Sequence, residues 1–240
     1  MNRRELLRLA SAFASLTITA AKAEDDASDV VAFLKTWDAG QITLGRNILP
    51  PTDPSWKDAF KILGEAPRGK RPFEVAQYFK ESVPARFQEA WPESDANPVI
   101  VKFFYDLKQK PAGDTTPWCA AFVNWCLAQS GVKGTNSASS QSFIDQHWGK
   151  EIWKVGDGSP IMAKQGDIAI FKHRSDPTHG HVAFFNKMDP SQSGHIEVLG
   201  GNQLKRVGNA IIHLIDYAPM RIDSELQLFS IRTSDGLRAM

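Results

Sequence analysis

A cysteine at the start of a predicted helix is the residue of this chain best suited to covalent chemistry. Thr116 and Pro117 are a typical N-cap and first helical residue, so Cys119 is predicted to lie in the first turn of a helix that stops at Gly131. Unpaired backbone N–H groups and the helix dipole favour the thiolate there, and the thiolate is the nucleophilic form of cysteine. A free cysteine is also commonly a small buried hydrophobic residue. A nucleophilic role therefore requires a nearby base.

A histidine in the second of three predicted strands is the leading candidate for that base. Three short strands are predicted between residues 166 and 199, and His181 begins the second. They predict an antiparallel sheet packed against the cysteine helix, so His181 can lie over the end of that helix. A polar side chain on or just after the third strand can hold the imidazole in one tautomer. Asn202 and Glu197 are the candidates for this orienting role.

Four motifs carry these residues, in the order 116-TPWCAAFVNWC-126, Gly166-Asp167, Gly180-His181-Val182 and Leu199-Gly200-Gly201-Asn202. Together they resemble the CHAP and NlpC type of cysteine amidohydrolases, over about residues 96–231. The resemblance implies an α+β, papain-like fold, in which an N-terminal cysteine helix packs on a small antiparallel β-sheet. It also implies cleavage of amide bonds in bacterial peptidoglycan, with stem peptides as the bound partner and no cofactor.

The resemblance assigns a role to each member of the site. Cys119 is expected to be the nucleophile, His181 the general base, and Asn202 the residue that orients the imidazole. Many CHAP proteins have a glutamate two residues before that asparagine, but this chain has Gly200 there. Either Glu197 takes that place or Asn202 acts alone.

Two residues just before or at the helix start are expected to contact substrate. Asp114 lies in the loop that leads to the helix, where a carboxylate can bind the free amine of a stem peptide. The alternative for Asp114 is a solvated turn aspartate, which is common in such loops. Trp118, beside the nucleophile, is the second substrate-binding candidate.

Two other functions compete with a cysteine hydrolase. His179 and His181 are two apart on a predicted strand and so share a face, which allows a zinc-dependent metallopeptidase. No His-Glu-x-x-His helix or paired cysteine ligands accompany them, so the sequence favours a site without metal. A catalytically inactive cell-wall-binding module is the other alternative, and the joint presence of Cys119, His181 and Asn202 argues against it.

The first residues have the features of an export signal. Arg3 and Arg4 precede a short apolar stretch, and Ala21-Lys22-Ala23 fits a signal-peptidase site. We therefore predict a signal peptide at 1–23, a helical extension at 24–94 and a catalytic domain at 95–240. The expected location is periplasmic or secreted, and the paired arginines suggest the twin-arginine route. The alternative is an amphipathic helix at a cytoplasmic N-terminus.

Composition excludes several other classes. The net charge is +1 with 42% hydrophobic residues, and no basic run interleaved with aromatics indicates nucleic-acid binding. The apolar stretch near the N-terminus is too short to span a bilayer, so no stable membrane insertion is expected after signal cleavage. Cys119 and Cys126 lie about 10 Å apart on one helix, beyond the reach of a disulfide. Cys126 is therefore expected to be a buried packing residue.

Overall fold

The computed structural model has an α+β architecture, with helices on one face of an antiparallel sheet. The predicted fold class is confirmed at this level. The residues that the structure describes are 22–32, 47–92, 94–108, 114, 116–176 and 178–238. Most of the predicted signal peptide lies outside them, and its expected cleavage site after Ala23 falls within the helical residues 22–32.

Seven α-helices are described, and three of them begin with a proline, which suits the first turn because its missing N–H needs no partner there. In chain order they are α1 (22–32), α2 (Pro54–Glu65), α3 (Pro72–Glu81), α4 (Ala85–Gln88), α5 (Pro98–Asp106), α6 (Cys119–Gln129) and α7 (Ser142–Asp145). A short 3-10 helix, Asp235–Leu237, follows the last strand.

Six strands form one antiparallel sheet in the order β1-β6-β2-β3-β4-β5. They are β1 (Lys150–Lys154), β2 (Ile168–His173), β3 (Gly180–Met188), β4 (His195–Val207), β5 (Ala210–Arg221) and β6 (Leu226–Thr233). The sheet is larger than the three predicted strands, because 196–199 extends into a long hairpin with β5 and because β6 pairs between β1 and β2. This hairpin contains a bulge between Gly200 and Gln203.

The core on the helical face is continuous from the N-terminal helices to the cysteine helix. Phe79 of α3 makes edge-to-face ring contacts with Phe103 of α5 and with Phe122 and Trp125 of α6. Edge-to-face aromatic pairs of this kind contribute about 0.5–1.5 kcal/mol each beyond the area they bury. The helices before residue 94 are thus packed into the same core that holds α6 in place.

The helix α6 is buried almost all round, which explains why its sequence is apolar without one polar face. It begins at Cys119, with Trp118 as N-cap and no side-chain cap bond. The predicted start is therefore corrected by two residues: Thr116 and Pro117 precede the helix. Gly131 follows its end with a φ of 70°, as a glycine stop signal predicts. In the described part of the chain, no helix has the length and apolar character needed to cross a membrane.

Candidate active site

Cys119 is the first residue of α6 and is only 2% exposed. Its sulfur accepts hydrogen bonds from backbone N–H groups, including those of Val182 in β3 and Ala120 in the first helical turn. Burial raises the pKa of the Cys119 thiol, and these backbone donors only partly oppose that rise. The expectation that the helix start favours the thiolate is thus corrected: desolvation outweighs the donors, and the resting group is a neutral thiol.

His181 lies near the start of β3, opposite Phe171 of β2, and is 7% exposed. Its ring packs against Phe171 with centroids 6.1 Å apart. Burial lowers the pKa of His181 from 6.5 to about 4, so the imidazole is neutral at neutral pH and can accept a proton. Since Val182 follows His181 directly, its bond to the sulfur brings the start of β3 to Cys119.

Cys119 borders a cleft of about 380 Å³. One wall is formed by Thr116 and Pro117 before the helix, a second by residues 137–140, and a third by residues 178–180 before and at the start of β3. The first wall belongs to the motif that contains Cys119, and the third ends at Gly180 of the motif that contains His181, whereas the second wall lies in none of the motifs. A small, polar wall of serines beside the nucleophile gives the cleft hydrogen-bonding groups for a peptide backbone.

A buried asparagine in α6 fixes that serine wall. Asn124 donates from Nδ2 to the carbonyl oxygens of Ala120 and Ser137 and contacts Thr135 Oγ1, at 2.9–3.0 Å. Its Oδ1 accepts from Thr135 N at 2.7 Å. The sequence contains a signal for these contacts, because Asn124 is an amide residue inside a mostly apolar helix. A buried amide must find hydrogen-bond partners.

Asn202 is near the predicted site, but its side chain has another partner. Its Oδ1 lies 2.9 Å from His213 Nδ1 on β5, and its backbone has a φ of 59° within the β4 bulge. The orienting role for Asn202 stays a prediction.

Trp118 is fully buried, and its indole ring packs against Gly201, where a Cβ would lie 2.7 Å from Trp118 Cε3. Its role in substrate binding also stays a prediction.

Glu197 is too far from His181 to orient it. It pairs in register with Lys187, six residues further along β3, which corresponds to about 20 Å of strand. Its carboxylate accepts from Asn186 Nδ2 and lies 3.5 Å from Lys187 Nζ. The alternative that gave Glu197 the orienting role is therefore corrected by the strand register.

Asp114 is 1% exposed, which corrects the expectation of a solvated turn aspartate. Its Oδ2 accepts from the backbone N–H groups of Trp91 and Asn97, at 2.8 and 3.0 Å. These contacts tie the loop before the cysteine helix to the segment that connects α4 and α5. A substrate contact for Asp114 stays a prediction that these contacts do not favour.

The two histidines of the zinc alternative have different surroundings. His179 is exposed, and its Nδ1 lies 2.6 Å from Asp176 Oδ2, whereas His181 is buried in the sheet. Over the residues that the structure describes, no three His, Cys, Asp or Glu side chains gather as a metal site. Both cysteines are free, and Cys126 is fully buried, as expected for a packing residue.

Comparison with known protein families matches part of this chain. The family model described as CHAP domain matches residues 111–202. The matched segment begins before Cys119 and ends at Asn202, so it contains all three predicted catalytic residues and all the residues that line the cleft. No curated protein and no solved structure matches the chain.

Proposed function

We propose that this protein is a papain-like cysteine amidohydrolase that cleaves amide bonds in bacterial peptidoglycan, and the match of residues 111–202 to the CHAP domain model supports this. One observation carries the proposal: the buried sulfur of Cys119 borders an open cleft and accepts the N–H of the residue after His181. Acyl transfer through a thioester needs a nucleophile and a base. Cys119 at the start of α6 and His181 near the start of β3 are suited to these two roles. The substrate is a stem peptide or a cross-bridge.

The neutral state of both groups determines the first step. Because the pKa of the Cys119 thiol is raised and that of His181 is lowered, the resting pair is thiol and imidazole rather than an ion pair. His181 then accepts the thiol proton as the sulfur attacks the amide carbon, so proton transfer and bond formation occur together. The π electrons of the carbonyl move to its oxygen, giving a tetrahedral oxyanion.

Collapse of that oxyanion breaks the carbon–nitrogen bond. His181 gives its proton to the leaving amine, and the acyl group remains on Cys119 as a thioester. Water then attacks the thioester carbon with His181 as base, which releases the carboxylic acid and restores the thiol. The backbone N–H of Cys119, at the helix start, is one donor for the oxyanion. Each step balances without a metal or an organic cofactor.

The substrate lies outside the cytoplasm, so this function goes with export. We propose that residues 1–23 direct the chain to the periplasm or beyond, as the basic start and the Ala21-Lys22-Ala23 sequence suggest. Of this segment, only residues 22 and 23 belong to the described part of the chain.

Digestion of purified sacculi tests the proposal. The protein without residues 1–23 is incubated with sacculi, and soluble fragments are identified by mass spectrometry. We expect fragments with a new amino group and a new carboxyl group at one type of amide bond, whose formation stops with iodoacetamide but not with EDTA. Inhibition by EDTA alone would support the zinc alternative. Binding to sacculi without any released fragment would support the inactive wall-binding module.

A further inference from the structure

A buried glutamine next to Asn202 has no role in the mechanism above. Gln203 is 4% exposed, and its Nε2 is buried without a hydrogen-bond partner among the described residues. His181 Nε2 is buried and lacks a partner in the same way. Buried polar atoms are nearly always paired, so each of these two atoms on neighbouring strands calls for a partner that the mechanism has not yet named.

The strand register, extended from the nearest β3–β4 pair, relates these two residues. Phe184 of β3 pairs with Leu199 of β4, so a regular antiparallel ladder would bring position 202 opposite His181. Between Gly200 and Gln203, however, β4 contains one residue more than β5 does. Relative to β5, the bulge thus shifts the residues of β4 after Gly200 by one position, which would put Gln203 rather than Asn202 across from His181.

Contacts around Gly200 identify the face of the sheet on which the Gln203 amide lies. A Cβ at Gly200 would lie 2.8 Å from Ala183 Cβ and 2.9 Å from Gln203 Nε2. The amide thus lies over Gly200 and beside Ala183, and Ala183 shares its face of β3 with His181, two residues away. The space of a side chain at position 200 is already filled by Gln203.

Asn202 has a different part in this arrangement. Its φ of 59° is the left-handed conformation that the bulge requires, and asparagine adopts it more readily than most residues. Its Oδ1 contact with His213 Nδ1 ties the bulge to β5. These features direct the Asn202 side chain to His213 and the Gln203 side chain to the face of His181.

We propose that Gln203 is the positioning residue of the site and that its side-chain oxygen accepts a hydrogen bond from His181 Nε2–H. A neutral imidazole that takes the Cys119 proton on Nδ1 must carry its own hydrogen on Nε2. A half-turn of the Gln203 amide exchanges its oxygen and nitrogen within the same shape and presents the acceptor. The bond holds the ring in the tautomer that catalysis needs, so its catalytic importance rests on the proposed function.

Three variants separate Gln203 from Asn202. Gln203→Met keeps the length of the side chain and removes the acceptor, whereas Gln203→Glu keeps an acceptor. Asn202→Gly removes the amide and keeps a residue that adopts a positive φ. Gln77→Met is the control, because it removes a half-buried amide that donates to the Tyr217 hydroxyl, away from the cleft. Nitrogen-15 NMR of the His181 ring reports the tautomer in each resting protein, and sacculus digestion gives kcat and KM.

We expect Gln203→Met to lower the fraction of Nε2–H tautomer and to reduce kcat by on the order of tenfold or more, with little change in KM. Gln203→Glu should keep that tautomer and raise the pKa of His181, because a carboxylate beside the ring favours the imidazolium. Asn202→Gly and Gln77→Met should keep the wild-type tautomer.

A wild-type tautomer in Gln203→Met, with a changed tautomer in Asn202→Gly, would overturn the proposal and give the orienting role to Asn202. If Gln203→Met does not fold, the pKa of His181 in Gln203→Glu decides, because an unchanged value would also overturn it. The ring measurements need no substrate. Failure of the wild-type protein to digest sacculi would therefore count against the proposed function and leave this test intact.

Discussion

The sulfur of Cys119 accepts a hydrogen bond from the backbone N–H of Val182, the residue that follows His181. This bond links the first residue of a buried helix to the start of a central strand. The side chains of Cys119 and His181 are both almost completely buried. Packing of the helix and the strand therefore holds these two residues in place, without a preformed ion pair.

The reactivity of the two thiols should differ in its pH dependence. Burial raises the pKa of Cys119, while burial raises that of Cys126 much further because fewer backbone donors oppose it. Alkylation of Cys119 by iodoacetamide should therefore increase steadily above pH 7, and Cys126 should react more slowly throughout. Peptide mass spectrometry over a pH series measures both rates. A plateau for Cys119 already at pH 6 would instead indicate a thiolate–imidazolium pair.

His181 should make the protein less stable in mild acid. Its pKa is 6.5 when unperturbed and about 4 in the fold, so between these values the unfolded chain binds a proton that the folded chain does not. The free energy of unfolding therefore has its full value above pH 6.5. It decreases by on the order of 3 kcal/mol as the pH falls to about 4. Urea unfolding at pH 7 and 4.5 measures it. In His181→Leu the free energy of unfolding should differ less between pH 7 and pH 4.5. A difference equal to that of the wild type would show that His181 is not the cause of the acid sensitivity.

Asp114 should affect stability more than substrate affinity. Asp114→Asn replaces a charged acceptor of two buried backbone N–H groups by a weaker one, which should cost about 1–3 kcal/mol. The urea midpoint should fall while the KM for sacculus fragments stays unchanged. Asp157→Asn, at an exposed position, is the matched control and should change neither quantity. A higher KM with unchanged stability would restore the predicted substrate contact.

The sequence predicted the parts of the site that depend on local signals. Cys119 at a helix start and His181 at a strand start follow from turn residues, apolar periodicity and the motif order, and the helix needed only a shift of two residues. The size of the sheet was less predictable. The edge strand β5 has exposed and half-buried residues at both ends, so its pattern of alternation is weak.

Contacts that depend on register and burial were not predictable in the same way. One extra residue in β4 shifts the residues after Gly200 by one position relative to β5, and no local signal in the sequence locates such a bulge. The desolvation that raises the pKa of Cys119 arises from packing by distant segments, whereas the helix dipole could be inferred from the helix alone. The burial of the loop residue Asp114 was not predictable because its partners Trp91 and Asn97 are about twenty residues away along the chain.

Export should depend on the paired arginines at the N-terminus. If the twin-arginine route is used, replacing Arg3 and Arg4 by lysine should leave the chain in the cytoplasm. Fractionation of cells and N-terminal sequencing measure location and cleavage, with a mature start near Glu24 expected for the wild type. Efficient export of the double-lysine variant would indicate a Sec signal, and an uncleaved cytoplasmic wild-type chain would contradict export.

The most direct test of the nucleophile compares two cysteines that share one helix. Cys119→Ala removes the sulfur at the cleft, and Cys126→Ala removes a fully buried packing sulfur two turns further on. Release of soluble fragments from purified sacculi is measured for both, with circular dichroism to verify folding. We predict that Cys119→Ala releases none, whereas Cys126→Ala keeps nearly wild-type turnover and loses on the order of 1 kcal/mol of stability. Wild-type release by a folded Cys119→Ala protein would contradict the assignment of Cys119 as nucleophile.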